Sequence, residues 1–178
     1  PWVAGPSASW SRRKFWRTSS LSAPSPSDFR LISTFSNAPP APAKTTAPKL
    51  ALNGVAKPVF ENYLAVQASL AGDSLETVST RASAVAQAVR NDTAKILPVE
   101  VAVQAEALAK AKGLAAAREA FRPLSESLIR FAKAGSIPAG TLYEVYCPMA
   151  KASWLQADQT VRNPYFGQAM LSCGQIKS

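Results

Sequence analysis

Between Lys57 and Phe131 apolar side chains return every three or four residues, in four successive blocks. Alternating steps of three and four put those side chains on one stripe of an α-helix, and such a stripe must be covered by another element. Val59, Tyr63, Val66 and Leu70 form the first seam, with Pro58 suited to a first helical turn and Gly72 to the end. Leu75, Val78, Ala82, Val85 and Val89 form the second, and Asp73 with Glu76 reads as a capping-box-like start for it. A third helix is predicted from Pro98 to about Lys112, carrying Val101, Ala105 and Leu108. After Gly113 comes the strongest seam, Leu114, Ala117, Phe121, Leu124, Leu128 and Phe131, with Pro123 expected to kink it near Glu119. Gly135 and Pro138 end it.

Four such segments joined by short connections predict an all-α fold, an up-and-down four-helix bundle. A pair of long helical hairpins docked on a partner is the rival use of the same pattern. After Gly140 the helical period is lost. TLYEVYC alternates and reads as a short extended strand or arm, Trp154 and Leu155 anchor the following loop, Asn163 and Pro164 mark a turn, and Gly167 supplies backbone freedom. The expectation for residues 56–178 is therefore a helical bundle with an irregular C-terminal arm.

Residues 1–55 read differently, as a disordered basic tail and a Pro/Ala-rich linker. The first fifty residues hold eight of the fourteen prolines and seven Lys or Arg against Asp28 alone, with no sustained apolar period. Such a segment buries too little surface to offset its ordering entropy. It also carries most of the net charge of +9, so the remainder is nearly balanced and no nucleic-acid partner is expected of it. The stretch SWSRRKFWRTSS mixes Arg with aromatics, a composition that also suits nucleic acid or an anionic membrane. It resembles a targeting segment as well, without the apolar core of a secretory signal. A start at Pro1 fits a piece of a longer chain or an upstream extension. No apolar run of about 18 residues exists, so no membrane span is expected.

Catalysis has little to stand on. The chain has no His, hence no imidazole base for a Ser or Cys nucleophile, and no Gly-rich phosphate loop. Its two Cys are too far apart in sequence for a C-x-x-C redox motif. The reading is of a non-enzymatic protein.

What the chain does have is sulfur in one place. Cys147, Met149, Met170 and Cys173 are its only Cys and Met, and all lie in the stretch from Tyr143 to Gly174. In an extended segment Cys147 and Met149 share a face, and Pro148 between them favours that geometry. Met170 and Cys173, three apart, share one side of a helical turn. If the two arms converge, thiolates and thioethers make a soft ligand set suited to Cu(I) or Ag(I), whereas a closed zinc site of four Cys or His cannot be built. The alternative is a Cys147–Cys173 disulfide, which would stabilise the fold by roughly 3 kcal/mol through loop closure. Oxidation and metal binding exclude each other at these sulfurs. Trp154, Tyr165 and Phe166 could pack around them, although ordinary packing of an irregular segment is the preferred reading of those aromatics. Asp158 is a further candidate for supporting the site.

The words YCPMA, ASWLQ, VRNPYFG and MLSCG, in this order, resemble the C-terminal signature of a bacterial domain family of unknown function. That family occurs alone or appended to periplasmic adaptor (membrane-fusion) subunits of RND efflux systems for copper, silver and other heavy metals. The resemblance runs from about Pro58 to Ile176 and is specific over about the last 35 residues. It implies a periplasmic or envelope location, a role near heavy-metal handling, and an efflux adaptor or other envelope protein as partner. Carried over residue by residue, it points to Cys147, Met149, Met170 and Cys173 as the metal set. Trp154, Asn163, Pro164, Tyr165 and Gly167 stand around them as support.

Overall fold

Each apolar seam finds its cover in the next helix along the chain. The computed structural model describes residues 52, 54–138 and 140–177. Helices α1 (Ala56–Ala71), α2 (Val78–Arg90), α3 (Val99–Ala109) and α4 (Leu114–Phe131) pack in sequence order. Val59, Tyr63, Val66 and Leu70 of α1, Val85 of α2, Val101 of α3 and Phe121, Leu124 and Leu128 of α4 have no exposed surface. Side chains of this size contribute about 1.5–3 kcal/mol each when fully buried, so the shared interior is the main stabilising term. Leu52 is also buried in it. The predicted tail and linker otherwise lie almost wholly outside the described residues.

The expectation of an all-α fold with an irregular arm is wrong. Tyr143–Cys147 forms β1 and Ala152–Gln156 forms β2, paired antiparallel with Cys147 opposite Ala152 and Tyr143 opposite Gln156. A two-residue β3, Gln175–Ile176, adds to the other side of β1, so the sheet order is β2-β1-β3 and the class is mixed α and β. The hairpin was illegible because its turn, Pro148–Lys151, contains none of the Gly or Asn that mark tight hairpins. Lys151 itself takes the left-handed conformation, at φ 50°. β3 is too short to show any alternation.

One local expectation also changes. Asp73 does not cap α2, which starts five residues later at Val78 after Thr77. It sits instead at φ 56°, and its carboxylate serves the C-terminal region described below. Pro123 lies inside α4, where the fourth seam puts it.

The sheet packs on the seam between α1 and α4. An aromatic series carries the core across: Phe60 on Phe131 (6.2 Å between centroids), Tyr63 on Phe121 (5.1 Å), Phe121 against Tyr165 (5.9 Å) and Tyr165 against Trp154 (6.0 Å). The buried Tyr63 hydroxyl contacts Ser125 Oγ at 2.8 Å and accepts the Leu155 N–H of β2 at 3.1 Å, joining helix to sheet. α4 is thus buried on two sides, one toward the helices and one, through Ser125 and Ile129, away from the main seam. No helix among the described residues is long and apolar enough to cross a membrane.

Candidate functional site

Cys147 closes β1, and strand alternation decides where it points. Val145 and Cys147 face inward with no exposed surface, while Tyr146 between them is exposed. The Pro148–Lys151 turn then folds back so that the Ala150 N–H meets the Cys147 sulfur at 3.4 Å. Arg122 of α4 holds this turn from below, donating to the Ala150 carbonyl at 2.9 Å while lying over the Tyr165 ring.

Cys173 arrives from the other direction, and Asn163 places it. Asn163 has no exposed surface; its Nδ2 donates to the Cys173 carbonyl at 2.8 Å, and its Oδ1 accepts the N–H groups of Tyr165 and Phe166. Its own N–H reaches the Leu171 carbonyl at 2.7 Å, and the Cys173 N–H reaches the Met170 carbonyl at 3.0 Å. Every hydrogen-bonding role of this amide but one donor is used inside a single loop, which makes that loop a rigid mount.

The mount is bolted to the helices. Arg118 of α4 donates to the Pro164 carbonyl at 3.0 Å, to the Leu70 carbonyl at 3.2 Å, and pairs with Asp73. Asp73 also accepts the Gln168 N–H, which with Arg118 holds its carboxyl below the ordinary range. Gln67 donates to the Arg162 carbonyl at 2.6 Å, and Tyr165 donates its hydroxyl to the Ser153 carbonyl at 2.9 Å. Burial pushes the Tyr165 phenol up to about 12, so it stays a donor. Gly167, at φ 57°, faces Asp73 and Arg118 so closely that any Cβ there would overlap both.

The outcome is that the two thiols meet: Cys147 Sγ and Cys173 Sγ lie 2.7 Å apart. Cys147 is the inner sulfur; Cys173 is only partly covered. Burial pushes the Cys147 thiol up, but the hydrogen bond from Cys173, the N–H groups of Ala150 and Met149, and the Asn163 side chain outweigh it and hold the thiol below its usual range. Cys173 moves the other way, because the hydrogen bond with Cys147 keeps the shared proton on it. The two thiols therefore titrate as a pair and not singly.

Of the four predicted ligands the structure brings together the two Cys. Met149 is 64% exposed, with its N–H directed at the sulfurs, and Met170 ends the helical turn Gly167–Met170 and is partly exposed. Each is two or three residues along the chain from a thiol of the pair. Two sulfurs on one ion would stand roughly 3.7 Å or more apart, given metal–sulfur bonds of about 2.3 Å. Holding an ion thus requires the pair to open by at least about 1 Å. Among the described residues no group of three or more His, Cys, Asp or Glu is placed to hold a metal. Asp158 is engaged in its own loop, accepting the Thr160 N–H at 2.8 Å. Trp154 is fully buried against Tyr165, with its indole N–H on Gln156.

Sequence reading missed Tyr63, Gln67, Asp73, Arg118, Arg122 and Gln168, which position the site from elsewhere in the chain. The spacing of Arg118 and Arg122 on one helix face, four apart, was the one available signal. No family model, no curated protein and no solved structure matches the chain significantly.

Proposed function

We propose that this chain is a soft-metal-binding module of the cell envelope, taking Cu(I) or Ag(I) as cargo through reduced Cys147 and Cys173 with Met149 and Met170 beside them. The observation that supports this reading is the convergence of the two thiols at the end of the central strand, one of them eased toward thiolate. Thiolate and thioether donors without imidazole or a carboxylate cluster favour soft monovalent ions over zinc or hard cations. The helices serve as scaffold. The resemblance of YCPMA, VRNPYFG and MLSCG to an efflux-associated family supports a place beside a heavy-metal efflux adaptor in the periplasm. The test is anaerobic titration of reduced protein with Ag(I) or Cu(I) against a weak chelator. About one ion per chain is expected, lost in the C147S/C173S double variant; no uptake by the reduced protein removes the proposal.

The 2.7 Å separation favours a second reading, a structural or interaction domain of an envelope or efflux assembly stapled by a Cys147–Cys173 disulfide. Thiol counting on freshly prepared protein, by mass before and after reduction, separates the two. Two free thiols exclude the staple.

A further inference from the structure

The two sulfurs are in contact but unequal, and their inequality has a chemical direction. Cys147 ends the central strand and has no exposed surface, with Ala150 and Met149 of its turn around it. Cys173 stands in front, partly exposed, just before the two-residue β3. A reagent arriving from solvent meets Cys173 first. Displacement at a sulfur proceeds in line, with the incoming thiolate opposite the departing one. Once Cys173 carries a solvent-side group, Cys147 is the buried thiol in contact with the Cys173 sulfur and within reach to displace that group.

We propose that the pair is a thiol–disulfide exchange centre in which Cys173 attacks an external disulfide and Cys147 resolves the product. Cys173, the sulfur a reagent meets first, gives up its proton to solvent and forms an S–S bond to one sulfur of R–S–S–R, and the first R–S⁻ leaves. The Cys147 thiolate then attacks the Cys173 sulfur, the mixed disulfide breaks, and the second R–S⁻ leaves. Two electrons pass from the two protein thiols to the external disulfide, and their two protons go to the two released thiolates. The products are an intramolecular Cys147–Cys173 disulfide and 2 R–SH. A small-molecule or exposed protein disulfide is the substrate class, since only the outer sulfur has to be reached. The centre needs no metal, so it stands or falls separately from ion binding.

The probe is glutathione disulfide, applied to reduced full-length chain with acid quenching and mass mapping over time. Wild type passes through a transient glutathione adduct to the intramolecular disulfide. C147S stops at a stable adduct on Cys173. C173S reacts at Cys147 at least about tenfold more slowly, and in urea that difference vanishes. A brief limiting pulse of iodoacetamide on wild type, which needs no variant, labels Cys173 before Cys147. Equal labelling of the two, a C173S rate matching that of C147S, or a wild type that halts at the adduct would overturn the proposal.

Discussion

The hydroxyl of Tyr63 is the most informative single group to remove. It is fully buried in α1, contacts Ser125 Oγ at 2.8 Å and accepts the Leu155 N–H of β2 at 3.1 Å. In Tyr63→Phe the ring keeps its place over Phe121, 5.1 Å away, so no cavity of consequence opens. The Leu155 N–H, by contrast, loses its partner in a dry interior, at a cost of about 1–3 kcal/mol. Ser125 can turn its hydroxyl onto a carbonyl of its own helix and contributes little further. The expected loss is about 2 kcal/mol, or about 6–10 °C in Tm for a folded unit of this size. Urea unfolding followed by far-UV circular dichroism reads it directly, with an unchanged slope marking an intact fold. A second readout is spectral: burial raises the Tyr63 phenol far above its ordinary range, so the alkaline titration of the folded variant must match that of wild type. A stability change below about 0.5 kcal/mol would refute the claim that this hydroxyl joins the helices to the sheet.

Gly167→Ala should destabilise by at least about 1–2 kcal/mol for the left-handed backbone alone, with more for displacing Asp73 and Arg118 from the Asn163 loop. A gain in Tm, as Gly→Ala gives at ordinary backbone positions, would show that the loop is not held as described. Acid should weaken the fold through Glu144. Burial raises its pKa, but hydrogen bonds from Lys133 and Lys177 outweigh burial and leave it lowered. A depressed folded value means the stabilisation is complete above the ordinary carboxylate pKa of about 4.3 and is lost as pH falls through the lowered one. Glu144→Gln should therefore be less stable than wild type at pH 7 by under about 1 kcal/mol, the lysines being well exposed, and the gap should close in acid. A gap independent of pH would assign the loss to packing.

The helical half of the molecule was legible because its information is local. Val59, Tyr63, Val66 and Leu70 declare one face by spacing alone, and a face so declared has to be buried whichever helix covers it. The sulfur stretch was legible for a similar reason: four soft side chains in one short region are a compositional fact. That two of them touch is not. The contact depends on a hairpin turn with no Gly or Asn to announce it, and on Asn163 placing Cys173 ten residues away.

Asp73 shows the limit most plainly. Its neighbours made it a helix cap by every local rule, yet its carboxylate is spent on Arg118 and on the Gln168 N–H, ninety-five residues further along. Periodicity determined which side chains had to leave water and hence that four helices would pack. Only the folded chain decided that β2 would form, that α4 would be buried on two sides, and which thiol would stand in front of the other. Burial preference is a property of each residue, whereas hydrogen-bond partners across the sheet and loop are chosen jointly by segments that meet only after collapse.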